Sequence, residues 1–278
     1  MIKTILLDVD GTLTDDRKNI TEKTRDALIQ AQENGVRLVL ASGRTVGGLM
    51  RYARELDMFN HHGIFVAYNG AKVMDCQSEE VYFNQALTVE EGKAVLNHMK
   101  KFDVWPVIDK GEYMYVNDVF VKEIDTAMGH INILKYESRG NGFLLCEKRD
   151  LAEFVDFELN KILVAAEPGY LKEHYEEMSE PFKDTLNGMF TAPHYYEYTA
   201  KGVDKAYAIR TSFAKMRLNS EETIAFGDAQ NDMTMVKYAG VGVAMGNAVD
   251  VLKEVSDYVT LDNNHDGIAE ALKHFEVI

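Results

Sequence analysis

The stretch that most constrains this chain is its first fourteen residues, MIKTILLDVDGTLT, in which an apolar run stops at two carboxylates two positions apart. Ile2, Thr4, Ile5, Leu6 and Leu7 are mostly β-formers, and the segment is predicted to be a buried, parallel-type strand of about six residues. Side chains alternate in extended backbone, so Asp8 and Asp10 leave its carboxyl end on the same side, and Gly11 lets the chain turn at once. Open α/β sheets bind ligands in the crevice outside such strand ends. Two like charges this close are unfavourable together unless a cation neutralises them or one holds a proton. An EF-hand calcium loop is excluded, because Leu13 stands at the sixth position, where that loop requires Gly.

With 278 residues, 46% of them hydrophobic, the chain can build a core for one large domain or two modest ones. A formal net charge of -15 argues against nucleic acid as a partner, since that affinity comes largely from Lys and Arg. The amino terminus enters a strand without a charged n-region, an apolar h-region or a small-residue cleavage site, and no run approaches the ~18 apolar residues of a membrane span. A soluble cytoplasmic protein with no membrane partner is the expectation. Cys76 and Cys146 lack C-x-x-C spacing and read as packed, reduced thiols. His61, His62 and His194 have no metal-ligand spacing.

Along the chain, residues 22–34 read as a helix stopped by Gly35, and 36–40 as a second strand running into Ala41-Ser42-Gly43-Arg44 and another helix. A short strand at 64–67, then Asn69-Gly70 and segments 71–75 and 80–83, reads as a hairpin or edge extension. From 84 to about 187 the texture changes: a helix at 88–101, strands at 104–109 and 112–116, a poorly periodic middle, a strand near 161–165 and a helix opened by Pro168. The parallel rhythm is expected to resume with a strand at 194–198, a helix over 202–217, and strands at 223–226, 241–244 and 257–259. The predicted architecture is α/β, a doubly wound and mostly parallel sheet formed by 1–83 and 188–278, with an α+β insert at 84–187.

Right-handed crossovers bring three strand ends to one edge of such a sheet: Asp8 with Asp10, Ser42, and Asp228 with Asn231 and Asp232. So many carboxylates repel one another, and a hard, oxygen-seeking cation such as magnesium is the economical remedy. Lys205, in the first turn of its helix, can add positive charge, and helix-start amides near Ser42 can hold an anion. Each residue alone has a plainer reading: Ser42 as a helix N-cap, Lys205 as a solvated surface lysine, Asp232 as an acid complementing a helix dipole.

The segments D8-V-D-G-T-L13, A41-S-G-R44, K201-G-V-D-K-A206 and G227-D-A-Q-N-D232 resemble, in order and spacing, the four motifs of the haloacid dehalogenase superfamily. The long insert, with Y68-N-G-A71, resembles the Cof-like sugar phosphatases of subfamily IIB, which carry an α/β cap there. The resemblance implies a magnesium-dependent phosphatase acting on small phosphorylated metabolites, sugar phosphates above all, through an aspartyl-phosphate. It implies Asp8 as nucleophile and Asp10 as general acid and base, with Ser42, Lys205 and Asn231 on the phosphoryl group. It also implies Asp228 as a metal ligand, joined by Asp8, the Asp10 carbonyl and, directly or through water, Asp232. Arg44 and Asn69 are candidates to face the substrate, and the insert is expected to act as a selecting lid. Acid catalysis by Asp10 asks that its pKa lie above that of Asp8. A phosphomutase with the same chemistry, or a phosphoaccepting receiver module, are the alternatives, and Ala206 departs from the Gly common after the lysine in relatives.

Overall fold

The computed structural model describes residues 1–126, 129–216 and 218–278. The chain divides into two units, one formed by Met1–Asn84 with Asp204–Ile278 and the other by Gln85–Val203.

The first unit opens with β1 (Thr4–Leu7), buried throughout, then α1 (Glu22–Glu33) and β2 (Arg37–Ala41). The next helix, α2 (Val46–Glu55), is capped by Thr45, whose hydroxyl accepts from the Gly48 N–H at 3.1 Å. Thr45 thus does the capping that the sequence left open to Ser42. β3 (Ile64–Ala67), β4 (Lys72–Asp75) and β5 (Val81–Asn84) form antiparallel hairpins, the first turning at Tyr68–Gly70 as the Asn-Gly signal predicts.

The second unit continues with α3 (Val89–Met99), β6 (Trp105–Lys110), β7 (Tyr113–Val116), β8 (Ile124–Thr126), β9 (Gly129–Ile131), α4 (Ile133–Gly140) and β10 (Leu144–Glu147). It ends with α5 (Leu151–Phe154), β11 (Ile162–Ala165), α6 (Pro168–Ser179), β12 (Leu186–Ala192) and β13 (Tyr195–Ala200). The elements from β8 to α5 occupy the stretch that showed no period, because each is too short to repeat one.

The chain then returns to the first unit through α7 (Lys205–Met216), β14 (Thr223–Gly227), α8 (Met233–Tyr238), β15 (Val241–Ala244), α9 (Asp250–Lys253), β16 (Tyr258–Val259) and α10 (Gly267–His274). Residue 217, the last of the helix expected over 202–217, lies outside the described residues.

The return point corrects the sequence reading. The strand expected at 194–198 was assigned to the parallel sheet, with the first unit resuming at 188; β13 instead pairs antiparallel with β11 and β12 in the second unit, and the chain crosses back at Asp204. The reason is burial: all six residues of β13 are covered, so it reads as the uninterrupted β-forming run that a central parallel strand also shows.

Among the described residues the first unit's sheet runs β16-β15-β14-β1-β2-β3-β4-β5, parallel from β16 to β3 and antiparallel beyond. The α/β expectation holds. From β1 the strand order proceeds in opposite directions, so the crevice of a topological switch point opens at its carboxyl end. Leu7 is level with both Phe226 and Leu40, which sets Asp8, Asp228 and Ser42 just beyond three neighbouring strand ends. Leu6, Val39, Val66 and Ala225 pack with Ile209, Phe213 and Met235 of α7 and α8, anchoring those strands from one face. Among the described residues no helix is long and apolar enough to cross a membrane.

Candidate active site

The three strand ends of the first unit carry the motif residues into contact. Asp8 follows β1 and is buried; its N–H donates to the Phe226 carbonyl at 3.1 Å. Lys205, the first residue of α7, is 1% exposed, and its ammonium donates to Asp8 Oδ1 and to Asp232 Oδ1, each at 2.7 Å. The solvated-lysine alternative is therefore set aside: this side chain is a buried cation between two carboxylates. Asp232 uses its other oxygen to accept from the N–H groups of Asp228, at 3.1 Å, and Ala229, at 3.0 Å. It thereby orients both Lys205 and the loop that carries Asp228. Asp228 in turn accepts from Thr12 Oγ1 at 3.0 Å. One oxygen from each of Asp8, Asp228 and Asp232 lies within 4.8 Å of the others.

Glycine is required at two places by close approach. Gly11 has φ +86, and a Cβ built there would stand 2.5 Å from Asp228 Oδ2; a Cβ on Gly227 would collide with the Asp232 side chain. Gly11→Ala is therefore expected to displace Asp228, lowering turnover by roughly 10²-fold and stability by about 1–3 kcal/mol. Phosphate release and thermal melting measured together check this, and wild-type values for both would refute it.

Asp10 faces different partners. Its carboxylate receives Arg44 through two bonds, Nε at 2.7 Å and a terminal nitrogen at 2.8 Å, and Lys18 Nζ stands 2.9 Å from Oδ1. Burial opposes its ionisation, but Arg44 and then Lys18 prevail and hold its pKa at about 2. Asp8 moves the other way: burial first, then the charge of Asp232, push it well above the ordinary carboxylate value despite Lys205. Asp228 rises to about 6, through burial and Asp232. Burial works against the Lys205 ammonium, yet Asp232 and Asp8 keep its pKa above the usual lysine value. The order expected for acid catalysis, Asp10 above Asp8, is thus reversed here, because two cations flank Asp10 and an uncharged shell with a neighbouring carboxylate surrounds Asp8.

The remaining sequence candidates fall around this centre. The Ser42 hydroxyl accepts from the Arg44 N–H at 3.2 Å, and its backbone carbonyl receives the Asn69 N–H at 2.9 Å. Asn231 donates through its amide to Asn69 Oδ1 at 3.1 Å, so the phosphate-side and substrate-side candidates are joined to each other. Four supporting residues were not singled out from the sequence. Thr12 lies inside the first motif and Lys18 in the loop behind it. Asn247 donates to the Gly11 carbonyl at 2.8 Å, and Asn263 to the Thr14 carbonyl at 2.9 Å, fixing the turn after the nucleophile. Asn247 and Asn263 are distant in sequence from what they hold, and no local pattern announces them.

A family model described as haloacid dehalogenase-like hydrolase matches residues 5–272. The Bacillus subtilis 5-amino-6-(5-phospho-D-ribitylamino)uracil phosphatase YcsE is 30% identical over 99% of this chain and 96% of its own length. The crystal structure of a haloacid dehalogenase-like hydrolase from Bacteroides thetaiotaomicron is 31% identical, covers 99% of this chain and 100% of its own, and superposes with a TM-score of 0.91. The structure of BT4131, titled a subclass IIB sugar phosphatase of the same superfamily, is 27% identical over 99% of this chain and 100% of its own, with a TM-score of 0.77. With the family model spanning nearly every residue and the motif side chains gathered at one switch point, the chain belongs to the haloacid dehalogenase-like hydrolases.

Proposed function

We propose that this protein is a cytoplasmic phosphatase that hydrolyses the monoesters of small metabolites, sugar phosphates in particular, through an aspartyl-phosphate on Asp8. One observation carries the reading: a buried ammonium, Lys205, bonded at 2.7 Å to the candidate nucleophile and, equally, to Asp232, next to a third carboxylate. A phosphate monoester is a dianion, and an anionic nucleophile reaches it only where cations offset the repulsion and stabilise the transferring group. The relatedness to YcsE and to the sugar phosphatase BT4131 supports the same substrate class.

The donor set of Asp8, Asp228 and Asp232 consists of hard oxygens with more negative charge than Lys205 balances, which fits magnesium. A bound magnesium ion would polarise phosphoryl oxygens and neutralise charge at the site. Asp8 and Asp228 would hold it, the Asp10 backbone carbonyl would complete the approach, and Asp232 contributes directly or by holding Asp228 and Lys205 in place. Lys205, Ser42 and Asn231 bind the phosphoryl oxygens; Asn231 would exchange Asn69 for the ligand. Asp8 attacks phosphorus, and the leaving oxygen takes a proton from Asp10. Asp10 then removes a proton from the water that cleaves the acyl phosphate. Because Arg44 and Lys18 occupy Asp10, that proton transfer requires their bonds to open as the substrate settles. The second unit, Gln85–Val203, serves as the selecting lid.

The test is phosphate release from p-nitrophenyl phosphate and a panel of sugar phosphates, with magnesium and after chelation. Chelation is expected to lower turnover by at least ~10²-fold, restored by magnesium, and rapid quench during turnover should trap phosphate on Asp8. Full activity in chelator, or label on another residue, would sink the reading.

A further inference from the structure

One face of the second unit's sheet changes character along its strands. Over part of its length it is apolar: Val107, Met114, Leu163 and Ala165 pack with Ile133 and Leu134 of α4. Toward the end where the chain enters and leaves the unit, it becomes polar. The antiparallel register sets Leu163 opposite Val107 and Glu197, and Ala165 opposite Tyr195, so Glu197 and Tyr195 stand on the Leu163 face, and alternation puts Asp109 there too. The two connections are tied together at this end, Gln85 Nε2 donating to the Lys201 carbonyl at 2.6 Å.

The polar group is built from buried side chains. Lys161 Nζ donates to Glu197 Oε1 at 2.8 Å, and the two side chains are 8% and 7% exposed. Burial works against the Lys161 ammonium, but Glu197, Glu137 and Asp109 keep its pKa above the ordinary value. Glu137 and Asp109 are half-buried at the margin, and Asn141 fixes Glu137 through a bond of 2.8 Å to Oε1. The Tyr195 hydroxyl, also buried, finds no hydrogen-bond partner among the described residues, although Glu137 acts on it electrostatically. Stability does not account for this arrangement. A buried ion pair is often no more stabilising than apolar residues of the same volume, and a buried hydroxyl without a partner is a net penalty.

We propose that Lys161, Glu197 and Tyr195 are specificity-determining residues that hydrogen-bond the hydroxyl groups of the substrate's organic part. The substrate class is then the monophosphate of an uncharged polyhydroxylated compound. The inference rests on the phosphatase reading above. Hydroxyls both donate and accept, matching a carboxylate that only accepts, an ammonium that only donates and a phenol that does either. Three carboxylates around one ammonium disfavour a second anionic group, so sugar bisphosphates and phosphorylated sugar acids are poor ligands. Glu197 stands eight residues before Lys205, so the strand that reads the hydroxyls feeds directly into the helix that begins at the catalytic lysine.

The test uses the full chain and three proteins: wild type, Tyr195→Phe, and the double variant Lys161→Met with Glu197→Leu. kcat and KM are measured for p-nitrophenyl phosphate, hexose and hexitol monophosphates, 6-phosphogluconate and a hexose bisphosphate. Wild type is expected to prefer the uncharged monophosphates over the acidic ones by at least ~10-fold. Tyr195→Phe should raise KM for them about 3- to 10-fold. It should leave kcat, p-nitrophenyl phosphate turnover and the melting temperature unchanged or the last slightly higher, whereas the double variant should lose the preference. An unchanged ratio of sugar phosphate to p-nitrophenyl phosphate turnover in Tyr195→Phe overturns the assignment while the phosphatase reading stands, as does a wild-type preference for a second anion. Absence of p-nitrophenyl phosphate turnover in wild type overturns both.

Discussion

Asp8→Asn is expected to abolish turnover, by on the order of 10⁴-fold or more, in a protein that remains folded. The amide offers no anionic oxygen to attack phosphorus and removes one member of the carboxylate trio that fits a cation. The fold should not suffer, because burial and Asp232 make the charged form of Asp8 unfavourable even with Lys205 beside it. Lys205 also keeps its 2.7 Å bond to Asp232 in the variant. Phosphate release, acid-quench labelling and thermal melting on the same preparation check the prediction. Residual turnover within 10-fold of wild type would remove Asp8 from its assigned role, whereas loss of activity accompanied by unfolding would show that its role is structural.

Lys205→Ala is expected to be the most damaging single change, because it acts on chemistry and fold together. Losing the ammonium removes a fixed positive charge from the phosphoryl site, a loss of about 10³-fold in turnover. It also strands Asp8 and Asp232, both buried, without the cation they share. Breaking a buried ion pair by deleting one partner costs about 3–5 kcal/mol. The damage depends on pH in a definite direction. A buried carboxyl whose folded pKa is raised favours the folded state below its ordinary pKa, and that contribution disappears as pH rises through the folded value. Asp8 is already raised with Lys205 present, and its pKa should climb further without it. Urea melts of the variant should therefore fall short of wild type by more at pH 8 than at pH 5. Equal stability of the two proteins at both pH values would mean that Lys205 neutralises nothing.

Much of the catalytic unit was legible because its information is local. An apolar run ending in D-V-D-G specifies a buried strand and a turn within a dozen residues, and the G227-D-A-Q-N-D232 segment does the same after β14. The convergence of these segments follows from general rules of parallel sheets. Roles that depend on distant partners were harder to see. Asn247 and Asn263 serve a turn more than two hundred residues earlier, and Lys18 and Arg44 reverse the pKa order expected of Asp10 and Asp8 although each looked unremarkable in its loop. The second unit was least legible: its short elements have no measurable period, and β13, covered on both faces, is indistinguishable in pattern from a strand of the parallel sheet.

The sequence by itself determined the α/β class, the strand ends that carry Asp8, Ser42 and Asp228, and the membership of Lys205 in the same group, because strand burial, turn chemistry and crossover handedness are encoded over short stretches. Only the tertiary structure decided that Lys205 is a buried bridge between Asp8 and Asp232, that Asp10 is clasped by two cations, and that β13 belongs with Lys161 and β11. Those outcomes depend on which charges are desolvated together and which strand edges pair. Both are set by long-range packing, and no local run of residues records them.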